Sequence, residues 1–297
     1  GGMNPHTKTC FVFFFFFSVY MGDRPIPGTI DFIRRNLAQR EIYFLTNNTS
    51  KDLAEYTRKL AGFGIEVGIE RILSPLLDHL RKEGITRLYP VGNASFQAFL
   101  KAQLPEVVFT AGEDCQAVVL AYDTELTYAK LAASCLLLQR PEVRFLSTHP
   151  DLVCPSPAGP LPDTGSFVKL YEAATGRLPE IVFGKPDPRV LAPLLGRFPR
   201  ETMVMVGDRL STDKKLAENA GIDFILVLSG EAQRADLAGL ERQPTLVLDD
   251  LGGDPARQQS RPQHHRVAAV AEGAHHIRQH QADPHRGRHD TTSAATA

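Results

Sequence analysis

The sequence predicts an α/β fold with a mainly parallel central sheet, and three observations support it. Cys10-Phe11-Val12-Phe13-Phe14-Phe15 is an unbroken apolar run without Gly or Pro, and its aromatic and β-branched content favours an extended strand. Loss of strict polar and apolar alternation is what a strand shows when helices cover both faces of a parallel sheet. Further strand-like runs follow at 42–45, 87–91, 117–121, 144–147, 181–183, 203–206, 224–228 and 245–248, with helix-like segments between them, the alternation typical of such sheets.

The first strand lies in the most unusual stretch of the chain, residues 11–22, which read F-V-F-F-F-F-F-S-V-Y-M-G. Lys8 precedes it as in a secretory signal, yet no small-x-small cleavage pattern appears before Asp23 and Arg24. The run is also too short to cross about 30 Å of hydrocarbon. Turn residues Gly22-Asp23-Arg24-Pro25-Ile26-Pro27-Gly28 then lead into a helix with Ile30, Ile33 and Leu37 on one face. A second helix is expected over 51–63, capped from Ser50 and closed by Gly64, and a later one over 214–220, closed by Gly221.

Residues 76–178 have strands and helices of their own, and 148–165 are dense in Pro, Gly and Asp, which suggests an inserted α/β domain ending in a loop that faces the site. The expected organisation is a core formed by 1–75 and 179–251, the insert at 76–178, and a tail at 252–297. That tail holds seven of the ten His but no Leu, Phe, Tyr or Lys, too little apolar material for a core. It reads as disordered or frameshift-like, and its His264-His265 and His275-His276 pairs lack the carboxylate or Cys company of a metal site.

With 297 residues, 43% of them hydrophobic, the chain can bury a sizeable core. Lys plus Arg (33) balances Asp plus Glu (34), which argues against a general nucleic-acid or membrane-surface binder and requires any anionic ligand to be held locally. Cys10, Cys115, Cys135 and Cys154 form no CxxC or zinc spacing. They read as reduced thiols of a cytoplasmic protein. The Asn47-Asn48-Thr49 and Asn48-Thr49-Ser50 sequons mean little without a signal peptide, and Gly1-Gly2 before Met3 looks like a cloning remnant. A dinucleotide-binding protein would need a GxGxxG after the first strand, and none follows.

Three short stretches have the chemistry. Ile42-Tyr43-Phe44-Leu45-Thr46-Asn47-Asn48 is a buried strand ending in a hydroxyl and two amides, a cradle suited to phosphate oxygens at the carboxyl end of a sheet. Phe183-Gly184-Lys185-Pro186-Asp187-Pro188 aims one cation from a turn. In Met203-Val204-Met205-Val206-Gly207-Asp208-Arg209-Leu210-Ser211-Thr212-Asp213 a strand ends in Gly-Asp and a second Asp follows where a helix begins. Hard carboxylates there suit Mg²⁺. Taken singly each has a plainer reading: Lys185 as a solvated surface residue, Asp213 as an N-cap, Asp208 as a turn residue.

In this order and spacing the stretches resemble the haloacid dehalogenase superfamily of phosphohydrolases, in the branch of nitrophenylphosphatase, phosphoglycolate phosphatase and pyridoxal phosphatase type. Val19-Tyr20, Pro27-Gly28, Tyr122-Asp123, Leu126-Thr127-Tyr128, Thr148-His149-Pro150-Asp151 and Pro162-Asp163-Thr164-Gly165-Ser166 extend the resemblance over about 10–251. It implies a Rossmann-like core with an inserted α/β cap, a Mg²⁺ cofactor, a small phosphorylated metabolite as substrate, and room for a homodimer through the cap. It further implies that Thr46 bonds the transferring phosphoryl group while Asn47 and Asn48 line the substrate side. Lys185 would neutralise the phosphoryl oxygens, Asp208 would bind Mg²⁺, and Asp213 would orient Lys185 or metal-bound water. The loop around 151–155, Cys154 included, would close over the leaving group. Lys214 stands where the family often has an apolar residue.

The family's first strand ends in Asp-x-Asp-Gly-Thr, whose first Asp attacks phosphorus and whose second acts as acid and base. Aligned through Val19-Tyr20, those positions are Phe14, Phe15, Phe16, Phe17 and Ser18, so both catalytic carboxylates are absent. Losing a nucleophile costs on the order of 10⁵ to 10⁶ in rate. Either the polypeptide has Phe here and is a silent phosphatase-like protein that binds a phosphorylated ligand or partner, or the sequence over 14–17 is misread and the molecule keeps its Asp pair. The survival of Thr46, Lys185, Asp208 and Asp213 around a missing centre favours the second.

Overall fold

A computed structural model describes residues 7–15, 19–21, 24–228 and 233–248, which fall into two compact units. One takes the described residues through 46, then 54–73 and 185–248; the other takes 47–53 and 74–184.

The first unit begins with β1 (Cys10–Phe14) and a small antiparallel pair, β2 (Tyr20–Met21) with β3 (Arg24–Pro25). Next come α1 (Pro27–Asn36), β4 (Glu41–Leu45), α2 (Leu53–Gly62) and β5 (Ile72–Leu73). The second unit has α3 (Pro75–Lys82), β6 (Arg87–Val91), α4 (Ala94–Gln103), β7 (Val108–Phe109), β8 (Ala117–Leu120), α5 (Tyr128–Leu137) and β9 (Arg144–Ser147). A hairpin of β10 (Val153–Cys154) and β11 (Leu161–Pro162), then α6 (Thr164–Thr175) and β12 (Ile181–Val182), complete it. The chain returns to the first unit through α7 (Ala192–Leu195), β13 (Met203–Gly207), α8 (Lys215–Ala220), β14 (Asp223–Val227) and β15 (Leu246–Leu248).

Each unit is built on a parallel sheet, as the recurring apolar runs imply. In the first the order is β15-β14-β13-β1-β4-β5, which puts β1 at the centre, and in the second it is β12-β9-β8-β6-β7. Although β1 is apolar throughout, the pleat still sorts its side chains. Cys10, Val12 and Phe14 join a core cluster with Met203, Met205 and Leu216. Phe11 and Phe13 pack instead on Phe32 of α1, with ring centres 5.1 and 6.2 Å away, and Phe15 stacks on Phe44 at 5.2 Å. Removing one such fully buried ring costs about 3–5 kcal/mol, so the end of β1 is held firmly.

Local expectations needed three corrections. In α1 the buried face is Thr29, Ile30, Phe32 and Ile33, while Leu37 falls at the C-cap, because the helix runs from Pro27 only to Asn36. Helix α2 starts at Leu53 rather than Lys51, and Ser50 is not its cap: the Ser50 hydroxyl donates to Asn48 Oδ1 at 3.0 Å. Residues 210–214 form a wide turn of π type before α8, so Asp213 lies inside that turn and is no N-cap. The closing Gly221 adopts φ +71°, a left-handed conformation that glycine takes without steric cost. Phe16, Phe17, Ser18, Gly22 and the 252–297 tail lie outside the described residues.

Candidate active site

The site begins with strand register. Phe14 of β1 is opposite Leu45 of β4, and Phe13 is opposite Val206 of β13. Three adjacent parallel strands therefore end side by side, about 4.8 Å apart, and their next residues are Thr46, Phe15 and, after Gly207, Asp208. This is the carboxyl edge at which open α/β sheets bind ligands. Thr46 and Asp208 are 6% and 2% exposed, so both stand at a nearly closed end of the sheet.

The loop after β13 folds back on itself through Asp213, which is fully buried. Its Oδ2 accepts the backbone N–H groups of Asp208 and Arg209, each at 3.1 Å, and its Oδ1 accepts the Lys185 ammonium at 2.7 Å and the Thr212 hydroxyl at 3.3 Å. A buried carboxylate is tolerable only when paired and hydrogen-bonded in this way. Gly207 makes the arrangement possible, since a Cβ there would lie 2.6 Å from Asp213 Oδ2 and 2.7 Å from its Cβ. Lys185 is held on the other side by its own loop, where Asn219 of α8 donates to the Pro186 carbonyl at 2.9 Å.

Lys185 Nζ also stands 3.8 Å from the centre of the Phe14 ring, a cation–π distance. The family's nucleophile position and the lysine thus meet at one point. Lys185 joins Phe14 to Asp213, Asp208 joins them through its N–H to Asp213, and Thr46 follows the end of the neighbouring strand. Asn47 and Asn48 group with the second unit, and Asn48 is committed to its loop: its Oδ1 accepts Ser50 N at 2.8 Å and Lys51 N at 3.0 Å. Lys214, in place of an apolar residue, is buried and ion-paired with Glu218.

Tyr56 was missed in the sequence. The Thr46 hydroxyl donates to the Tyr56 hydroxyl at 3.0 Å, and the Tyr56 ring stacks on Phe15 at 4.5 Å. A signal existed, because Tyr56 shares the apolar face of α2 with Leu53 and Leu60 and a buried phenol needs a partner.

Among the described residues, two places offer metal-ligand atoms. At the sheet edge, Asp213 is engaged by an ammonium and two amides, and a phenyl ring occupies position 14, leaving Asp208 as the carboxylate oriented by the strand end. Mg²⁺ requires near-octahedral oxygen ligation and usually one or two carboxylates plus waters, so the donor set of this chain does not fit it. In the second unit, ligand atoms of His149, Asp151 and Asp163 lie within 4.8 Å of one another. There the Asp151 N–H donates to His149 Nδ1 at 3.1 Å, and His149 Nε2 lies 3.5 Å from Asp151 Oδ2, so these side chains are engaged with one another within the turn.

Comparison with known proteins places the chain. A family model described as haloacid dehalogenase-like hydrolase matches residues 18–103, and a related HAD-hydrolase-like model matches 182–253. The acid sugar phosphatase of Staphylococcus haemolyticus is 30% identical over 243 residues, covering 79% of this chain and 90% of that protein. The chain belongs to the haloacid dehalogenase-like hydrolases. A 5'-nucleotidase of Bacillus subtilis, also 30% identical, covers 79% of this chain and 92% of its own. Among solved structures, a 4-nitrophenylphosphatase of Thermotoga maritima matches with a TM-score of 0.70 at 36% identity, over 84% of this chain and 96% of that one. A p-nitrophenyl phosphatase of Archaeoglobus fulgidus, at 21% identity and a TM-score of 0.72 over 84% of this chain and 99% of that one, shares the fold. The haloacid dehalogenase branch expected from the motifs, that of the phosphoric monoester hydrolases, is the one these relatives represent. No helix among the described residues is long and apolar enough to cross a membrane.

Proposed function

We propose that this scaffold serves the hydrolysis of small phosphate monoesters in the cytoplasm, an activity dependent on Mg²⁺ and on aspartates at positions 14 and 16. A polypeptide that has Phe at both would keep the ligand-binding half of the site and be catalytically silent. One observation underlies both parts: Lys185 Nζ lies 3.8 Å from the ring of Phe14. A side chain at position 14 therefore stands beside the cation that would hold the phosphoryl oxygens, where a carboxylate would be placed to attack phosphorus and a phenyl ring cannot, having no lone pair to form the new bond. Thr46 would hydrogen-bond the same group, Asn47 and Asn48 would line its ester side, and Asp213 would hold Lys185 in place. With a carboxylate back at position 14, Asp208 would gain the partner that a Mg²⁺ site needs. The relatives' activities on sugar phosphates and nucleotides support a phosphorylated metabolite as ligand.

The test starts from intact-mass measurement, which distinguishes Phe from the Asp, Leu, Asp and Gly of an active motif. Nitrophenyl phosphate turnover is then compared, with and without Mg²⁺, for this chain and for the variant Phe14→Asp, Phe15→Leu, Phe16→Asp, Phe17→Gly, Ser18→Thr. The rebuilt variant should gain Mg²⁺-dependent turnover while the Phe chain shows none. Robust turnover by a chain confirmed to have Phe14 and Phe16 would refute the mechanism.

A further inference from the structure

We infer that in this chain the resident cation of the site is Lys185 itself, and that Asp208 holds no divalent ion while Phe occupies position 14. The inference rests on the phosphatase reading for the identity of the site, but its content is a property of these residues alone. Three contacts lead to it. The ammonium is 2.7 Å from Asp213 Oδ1 and 3.8 Å from the Phe14 ring centre, so it fills the space beside position 14. Both Asp213 oxygens already accept hydrogen bonds, from Lys185 and Thr212 at Oδ1 and from two backbone amides at Oδ2. Position 14, beside the ammonium, has a phenyl group where Asp208 would need a second carboxylate to share a divalent ion.

The substitution of charges is consistent. A phenyl face attracts an ammonium but offers a small, tightly hydrated dication no lone pair. Replacing a carboxylate by phenyl also removes one negative charge from the site, and with it much of the attraction for a double positive charge. A tethered single charge then suffices for the buried Asp213, at a smaller dehydration cost than Mg²⁺ would incur. This chain should therefore hold its site together without metal, and Lys185 should be more important to its stability than in a chain with a carboxylate at position 14.

Thermal unfolding of the full chain in EDTA and in excess MgCl₂ tests this, with four variants alongside: Phe14→Asp, Phe14→Leu as a packing control, Lys185→Gln and Asp208→Asn. The unaltered chain and Phe14→Leu should show no Mg²⁺-induced rise in Tm. Phe14→Asp, whatever its starting Tm, should gain a rise of about 3 °C at tenfold excess over its Kd, abolished when Asp208→Asn is added. Lys185→Gln should lower the Tm equally in EDTA and in MgCl₂, because Phe14 still denies the ion a second carboxylate. A Mg²⁺-induced rise in the unaltered chain that Asp208→Asn abolishes would overturn the inference. Because the readout is stability, it is separate from the turnover assay: a Phe14→Asp protein that gains the Mg²⁺ response, in a rebuilt motif that hydrolyses nothing, would refute the phosphatase reading and leave this one standing.

Discussion

Gly207→Ala is the perturbation whose cost follows most directly from the geometry. A Cβ at position 207 would sit 2.6 Å from Asp213 Oδ2, 2.7 Å from its Cβ and 2.9 Å from its Cγ, well inside ordinary contact. A flexible surface side chain would swing away, but Asp213 is fully buried and tied at both oxygens. If the carboxylate stays, the overlap must be absorbed as overpacking, at about 1–3 kcal/mol. If it moves, at least one charge-assisted hydrogen bond is lost, at about 1.5–3 kcal/mol each. Either route gives about 1–3 kcal/mol of destabilisation. In urea unfolding followed by far-UV circular dichroism, with a slope of about 2–3 kcal/mol/M, the midpoint should fall by about 1 M. Gly196→Ala is the control, because a Cβ there meets only the Ala192 carbonyl, at an ordinary 3.7 Å. In the double variant Gly207→Ala with Asp213→Ala the penalty of the glycine change should shrink in part, since Oδ2 and Cγ are gone while the Cβ at 2.7 Å remains. A Gly207→Ala midpoint within error of the parent would refute the picture of Asp213 as a locked side chain, and with it the basis for placing Lys185.

Asp78 makes stability depend on pH. Burial pushes its carboxyl from an ordinary 3.8 up to about 6, only partly offset by Arg81, and its Oδ2 is buried without a hydrogen-bond partner among the described residues. Because the folded value is the higher one, its favourable contribution is complete below about pH 4 and is lost as pH rises through about 6. Asp78→Asn should therefore be the more stable protein at pH 7.5, by about 1–3 kcal/mol, with the advantage vanishing near pH 4. An advantage of constant size between pH 4 and 8 would show that the cause is not titration. Tyr56→Phe keeps the ring stacked on Phe15 but removes the acceptor of the Thr46 hydroxyl, so it should cost about 0.5–1.5 kcal/mol. Loss of more than about 3 kcal/mol in the same unfolding assay would mean that the stack, not the hydrogen bond, had been disturbed.

Much of this protein was legible in its residues. Continuous apolar runs such as 203–206 and glycine closures such as Gly221 are local signals, fixed by burial and backbone sterics, and they were enough to give an α/β chain with parallel sheets. The motif order placed Thr46, Lys185, Asp208 and Asp213 in one family and exposed the Phe residues at its first motif. What the chain alone could not reveal was decided by contacts between distant segments. The resemblance paired Asp213 with Lys185, 28 residues away, but only the fold showed its second oxygen taken by the amides after Gly207. The loop bonds that hold the Asn48 amide oxygen, from Ser50 and Lys51, were likewise invisible in the sequence. Tyr56 had no motif, and only the packing of α2 beside β1 and β4 gave its hydroxyl a partner. Sequence patterns report which groups prefer burial or extension; which charge meets which, and what a ring at position 14 touches, is settled by the parallel register that aligns the ends of β4, β1 and β13.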